Sequence, residues 1–292
     1  MSARSDSIGE LAKEPSVLRR LLRSRSGALG LVIVAFYVTV AVLGLLQITP
    51  YPPTEQHRVD RLQGPSSQYY LGTDMFGRDL LSRLIKGSTN SLYVAFSCVA
   101  ISSTLGTLIG TASAYIGGTF DNVMMRIMDI FFAFPAILLA LLVVVILGRG
   151  LDKTIIAIAV VYTPIFARVA RGPVLSVKEM EYITAARCIG MHHRRVVFFH
   201  VLPNTLAPLI VQVSLALSWS LLTEAGLSFL GLGIQPPEPS WGVMLSESQG
   251  ISEIAPWLMI YPGLAIMLGV LGFNLLGDGL RDVLDPRMKR LR

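Results

Sequence analysis

Charge is what this sequence has least of. Only 15% of its 292 residues are Asp, Glu, Lys or Arg, against about 25% in soluble domains. Meanwhile 52% are hydrophobic, and the mean hydropathy is +0.60. Too little polar surface is available to wrap a water-soluble fold, so the class is an all-α polytopic membrane protein. Cysteine is nearly missing. Cys98, in an apolar block, and Cys188, in a polar loop, give neither a disulfide framework nor a metal-ligand spacing. Four histidines occur, His57, His192, His193 and His200, all in loops or at a helix start. None joins a Ser-His-Asp or Glu-x-x-His grouping at membrane depth, which argues against a membrane-embedded enzyme. A phosphate-cradling loop is missing as well. In GRGLDKT, Gly148 to Thr154, Asp152 stands where a glycine must precede the lysine. No ATP or other cofactor is therefore expected on this chain. The net charge of +6 does not point to nucleic acid, because the basic residues gather at helix ends and not in an aromatic-rich patch. Met124, Met125 and Met128 read as packing residues.

What the chain has is long stretches without charge. Gly27–Ile48 is long enough to cross a bilayer core of about 30 Å, and no cleavage site follows it in ITPYPP, so it reads as a retained anchor. Gly87–Phe120 carries Gly106-x-x-x-Gly110, a spacing that lets two helices approach closely. Ile130–Gly148 is interrupted by Pro135. Thr154–Ala167 is short and contains Pro164, with Arg168 at its edge. Thr205–Thr223 and Ile254–Gly277 complete six predicted spans, the last flanked by Trp241 and Trp257 as interface anchors. Six spans place both termini and the loop between Ala167 and Thr205 on one side. That side carries eighteen of the 25 Lys and Arg residues, so the positive-inside rule puts it in the cytosol.

Two polar stretches carry pattern. From Met75 to Lys86 a helical wheel divides cleanly. Phe76, Leu80, Leu81, Leu84 and Ile85 lie on one half, and Arg78, Asp79, Ser82, Arg83 and Lys86 on the other. This predicts a helix lying on the membrane surface, capped by Asp74 and braced by an Asp79–Arg83 pair. The stretch from Val177 to Asn204 predicts two short helices. In the first, Tyr182, Ala185, Ala186 and Ile189 share a face while Glu181, Thr184 and Arg187 point away. Gly190 stands at the left-handed position that ends it. The second runs from Arg194 to Leu202, and Pro203 suits the first turn of a new helix.

These residues resemble a known family. Ala185-Ala186, Gly190 and Leu202-Pro203 are similar to the EAA loop of ATP-binding-cassette (ABC) importer permeases, with Thr184 in place of the usual Glu and His200 in place of an aliphatic residue. Leu71, Gly72, Thr73, Asp74, Gly77, Arg78, Asp79, Ser82, Arg83 and Gly87 match the "LGTDxxGRDxxSRxxxG" segment of the "C"-type permeases of the dipeptide/oligopeptide/nickel branch. LSFLGLGIQPPEPSWGVML resembles another segment of that branch. The resemblance implies a six-span permease of the bacterial inner membrane, with cytosolic tails at 1–26 and 281–292. It implies a first span and external segment over 27–88, and a five-helix core over 89–280 holding a cytosolic coupling loop at 173–203. By the same resemblance Glu181, Thr184, Ala185, Ala186, Arg187, Gly190, Leu202 and Pro203 contact an ATPase. The implied partners are a second homologous permease, two ABC ATPases that hold the ATP and magnesium, and an extracytoplasmic binding protein.

Three acids lie near or within spans. Asp129 and Asp278 sit one turn from Arg126 and Arg281 and predict local ion pairs. Glu224 has no charged neighbour within a turn, and an ionisable residue in a span is a functional candidate, for the transport path or for a subunit contact. An ion-coupled secondary transporter would place paired charges in broken helices at mid-membrane, and apart from Glu224 the span centres are uncharged. As cargo, short peptides fit better than nickel or another chelated metal. The spans offer Thr104, Thr107, Ser113, Ser214, Ser218 and Asn274 for a wet path, but no two groups at metal-ligand spacing.

Overall fold

A computed structural model describes residues 16–284, so the expectations for the two tails lie partly outside the described residues. The described residues contain eleven α-helices and no strand. A short α1 (Val17–Arg23) leads into α2 (Arg25–Leu45), started by Ser24, whose hydroxyl accepts the Gly27 N–H at 2.9 Å. An extended, proline-punctuated segment follows. Then come α3 (Leu80–Ile116), α4 (Gly118–Phe132), α5 (Ala136–Leu147) and α6 (Leu151–Val177). After α7 (Glu181–Cys188) and α8 (His193–Val196) the chain enters α9 (Leu206–Phe229), α10 (Trp241–Ser248) and α11 (Trp257–Leu284). Helices α2, α3, α6, α11 and the run from α8 through α9 are each long and apolar enough to cross a membrane. The sixth crossing differs from expectation. Ile130–Gly148 is not one continuous helix: α4 and α5 form a bent pair that meets at 91°. Pro135 supplies the reason, since it has no N–H to donate and disfavours helix at Phe134 before it. The short block Thr154–Ala167, by contrast, belongs to a 27-residue helix that runs on past Arg168 and Arg171 through Pro164 and Pro173.

The most extensive helix pair is α3 with α6, and small residues make it possible. A β-carbon on Gly110 would stand 2.1 Å from the Ala167 carbonyl oxygen. One on Gly106 would stand 2.5 Å from both the Phe166 Cβ and the Thr163 oxygen. Backbones this close exchange dispersion contacts that larger residues would prevent, which is how helices associate where lipid removes the hydrophobic drive. Around this seam Cys98, Ile158, Phe166, Ala170, Leu221 and Phe273 form the buried core shared with α9 and α11.

The surface helix predicted for Met75–Lys86 does not form. Residues 75–79 are not helical, Asp79 is the N-cap, accepting the Ser82 N–H at 2.8 Å, and Leu80 opens the 37-residue α3. The polar half of the wheel faces inward: Arg78 is 3% and Arg83 1% exposed, while Phe76 is 37% exposed. What reverses it is an acid far along the chain. Glu247 of α10 accepts from Arg78 at 2.9 Å and from Arg83 at 2.8 Å. Asp74 completes the cluster by accepting from the side chain and backbone N–H of Arg78, with Arg83 Nε 3.5 Å away. Asp79 makes no ion pair with Arg83; it caps the helix instead. Nearby, the buried Tyr69 donates to Asp60 at 2.9 Å. Burial first, then that carboxylate, push its phenol up to about 12, so it remains a donor across physiological pH.

Other local expectations are redirected by packing. Trp241 is 1% exposed and stands edge-on to Tyr37, with its ring N–H on the Leu84 carbonyl at 3.3 Å, so it is a core residue and not an interface anchor. Asp129 pairs with Arg168 of α6 and not with Arg126. Asp278 has no ion pair with Arg281 among the described residues.

Candidate functional site

The loop between α6 and α9 is built on a small core of its own. Lys178 closes α6 and reaches across to donate to the Ala114 carbonyl at 2.8 Å, tying the last turn of α3 to the start of the loop. Met180 then turns the chain into α7, whose first turn carries Glu181 at the positive end of the helix and whose last carries Arg187 at the negative end. Ile183 and Ala186, one turn apart, pack on Val174, Val177, Val196 and Val201. The buried face is therefore Ile183/Ala186. Of the apolar face expected from the wheel only Ala186 is covered, and Tyr182, Ala185 and Ile189 are exposed together with Glu181, Thr184 and Arg187. The exposed surface of α7 is consequently part apolar and part charged, with Ile189 79% exposed.

Gly190 ends α7 as expected. Its φ is +80°, and the Gly190 and Met191 N–H groups bond the Arg187 and Ala186 carbonyls at 2.9 and 3.1 Å, the paired bonds of a Schellman motif. A β-carbon there would meet nothing within 4 Å. The demand for glycine is thus one of backbone conformation alone.

Beyond Gly190, His192 Nδ1 accepts the Arg194 N–H at 3.3 Å and starts α8. The chain continues through a π-turn, Val197–Val201, into a 3₁₀ turn, Leu202–Thr205, with Pro203 in its first turn. Asn204 locks the halves of the loop together, donating to the His200 carbonyl at 2.7 Å and to the Tyr182 hydroxyl at 3.2 Å. Tyr115 of α3 is the other brace. Its hydroxyl is 2.9 Å from His193 Nδ1, and the Arg187 guanidinium lies 4.9 Å from its ring centroid. An open groove of about 670 Å³ runs beside these residues, lined by Leu108, Tyr115, Arg187, His193, Phe198 and Leu202.

Glu181, Thr184, Ala185, Arg187 and Gly190 thus stand on one short exposed element, with Leu202 and Pro203 at the end of the same loop. Glu224 lies elsewhere, about 27 Å along α9 from its first residue. It is fully buried within this chain. Sequence reading missed Asn204 and Ile183 in the loop and Glu247 outside it. Ile183 was available in the pattern, since Ile183, Ala186 and Gly190 repeat at three and four residues. Glu247, and Asn204 in its bond to Tyr182, act across distances no local pattern reports.

The loop thus presents an exposed, internally braced helix between two membrane helices. Residues 103–290 match the family described as "Binding-protein-dependent transport system inner membrane component", and residues 16–65 match the "N-terminal TM domain of oligopeptide transport permease C". The dipeptide transport system permease protein DppC of Alkalihalophilus pseudofirmus is 45% identical, over 93% of this chain and 89% of its own. The glutathione transport system permease protein GsiD of Pectobacterium atrosepticum is 42% identical, over 93% of this chain and 90% of its own. A chain of the MetNI methionine ABC transporter, in an inward-facing conformation, superposes with a TM-score of 0.57 at 21% identity, over 69% of this chain and 96% of that one, which establishes the shared fold. The ion-coupled reading is thereby set aside. The chain belongs to the binding-protein-dependent transport inner-membrane component family, as a multi-pass, "C"-type permease subunit of a bacterial ABC importer that works with ATPase and other partner subunits.

Proposed function

We propose that this permease imports short peptides. The observation that carries the reading is similarity along more than nine-tenths of the chain to permeases named for dipeptide and glutathione transport. In this reading an extracytoplasmic binding protein delivers the peptide, and a second homologous permease forms the other half of the path. Two ABC ATPases, which hold the ATP and magnesium, sit under the loop at 173–203. Glu181, Thr184, Ala185 and Arg187 present the contact surface, and Gly190 sets the angle between its two halves. Both tails, 1–26 and 281–292, are cytosolic, and the core is 89–280. The test of cargo is competition in a deletion strain between labelled di- to pentapeptides and radioactive nickel, with and without a chelator. Peptide uptake is expected to depend on this chain; loss of nickel uptake with peptide uptake unchanged would defeat the reading.

Orientation has its own test. The chain has two cysteines, Cys98 buried and Cys188 exposed on α7, so Cys188 is a native reporter of the loop. A membrane-impermeant thiol reagent is expected to label it in inverted vesicles and not in intact cells. Labelling from outside reverses the topology.

Coupling is tested at Gly190. Valine must adopt a positive φ there, at a cost of roughly 1–3 kcal/mol, whereas asparagine visits that region readily. Gly190→Val is expected to give an assembled complex whose ATP hydrolysis no longer drives uptake, and Gly190→Asn to retain at least part of it. Equal transport by both variants at equal expression would show that the turn carries no coupling.

A further inference from the structure

Glu224 stands out from every other acid in the described residues. Its carboxyl is completely buried, and no Lys, Arg or His lies within ion-pair distance among the described residues. What surrounds it is hydroxyl. Ser228, one turn on, donates to Oε1 at 2.7 Å, and the hydroxyls of Ser91 of α3 and Ser240, just before α10, flank the carboxyl. Oε2 nevertheless makes no hydrogen bond of good geometry.

Each of the three serines also has a second task. Ser228 Oγ accepts the Ile234 N–H at 3.3 Å, Ser91 Oγ accepts the Trp241 N–H at 3.3 Å, and Ser240 Oγ accepts the Val243 N–H at 3.2 Å. The first of these amides lies in the segment joining α9 to α10 and the other two in the first turn of α10, all within the stretch GLGIQPPEPSWGV. That stretch is therefore held to α9 and α3 by two backbone donors, on Ser228 and Ser91, while Ser240 caps α10 within it; all three serine hydroxyls lie beside one carboxyl.

An ionised carboxylate with neutral hydroxyls as its only partners, deep in apolar surroundings, is among the most costly groups a protein can bury. The other titratable groups close by offer no compensating charge. On α3 the neighbour is the Cys98 thiol, and on α6 it is Tyr162, whose hydroxyl is 3.1 Å from Thr223 Oγ1. The α9–α10 segment meets it with Ser240, which does not titrate, while Glu238 of that segment is exposed and bonded to Asn90. Glu247 on α10 is committed to Arg78 and Arg83. A carboxylic acid removes the difficulty. Its carbonyl oxygen accepts from Ser228, and its O–H is a donor that a serine lone pair can take up.

We propose that Glu224 is a proton-binding site: it is a neutral acid in this conformation, and the proton it holds completes the serine network that pins the Gly231–Val243 segment to α3 and α9. Glutamine, which also accepts through one atom and donates through the other, is the isosteric replacement; alanine removes both.

The test uses the assembled transporter in lipid nanodiscs. Infrared spectra of the wild type at neutral pH are expected to contain a protonated-carboxyl carbonyl band that disappears in Glu224→Gln. Loss of a carboxylate band instead, or a wild-type spectrum that depends on added sodium or another metal ion, would overturn the proposal. The second readout is thiol labelling of a cysteine at Ile234, which is 3% exposed. Glu224→Gln should leave it as protected as the parent, whereas Glu224→Ala should speed labelling by about tenfold or more, because local opening governs access. Equal deprotection by Gln and Ala would mean that the ionised form is required, and would sink the assignment. Neither readout involves cargo, so both stand or fall independently of peptide import.

Discussion

Gly110→Ala is expected to abolish folded transporter. A single added methyl would stand 2.1 Å from a backbone oxygen of α6, and no rotamer change relieves a clash between two main chains. The helices must separate instead. Overpacking in a core that can rearrange costs about 1–3 kcal/mol; here the pair forced apart is the largest in the bundle, and the loss of its contacts adds to that. The measurement is the monodisperse fraction after detergent extraction, beside Gly263→Ala in α11, where a new methyl meets nothing within 4 Å. Normal yield of the Gly110 variant would show that α3 and α6 are not packed as described.

Glu247→Ala should be the next most damaging change. Glu247 is one carboxylate serving two guanidiniums that are almost wholly buried. Removing it leaves two cations sharing Asp74, and breaking a buried ion pair from one side costs about 3–5 kcal/mol. We expect a large drop in thermal stability with α10 released from the start of α3. Glu247→Gln should recover only part of it, since the amide restores an acceptor and not the charge. A variant in which Arg78, Arg83 and Glu247 are replaced together by Met, Leu and Met is expected to be less damaged than Glu247→Ala alone. If the triple change is the worse of the two, the cluster contributes by attraction more than its desolvation costs.

How these features stood in the sequence follows from their physical range. Spans were legible because crossing a bilayer imposes a length and an absence of charge that local composition records. Gly190 was legible because a positive φ restricts residue type on the spot, and Gly106-x-x-x-Gly110 because close approach does the same. The Met75–Lys86 stretch was misread for a reason of the same kind. A wheel separates polar from apolar residues, but it cannot say whether the polar half meets water or an acid 164 residues away, as Arg83 meets Glu247. Trp241 shows this in reverse: its place beside the last span suggested the membrane interface, while Tyr37 and Leu84 hold it in the core. On α7 the wheel identified an apolar stripe of the right size and the wrong orientation, because Val174 and Val177 of the preceding helix select Ile183 and Ala186 as the buried pair.

The seam at Ala167 has a mechanical side. Helix α6 runs without a break from Leu151 to Val177, joined to the α7 loop at Val177 and gripped near Ala167 by two glycines with no side chain to yield. Such a grip is a fulcrum. The arm from Ala167 to the loop is about 15 Å and the opposite arm about 24 Å, so a tilt about the seam moves the far end by roughly 1.6 times the displacement applied at the loop. Under the coupling proposed above, a push of a few ångströms delivered through α7 would arrive across the membrane enlarged, its size set by where along α6 the two glycines of α3 fall.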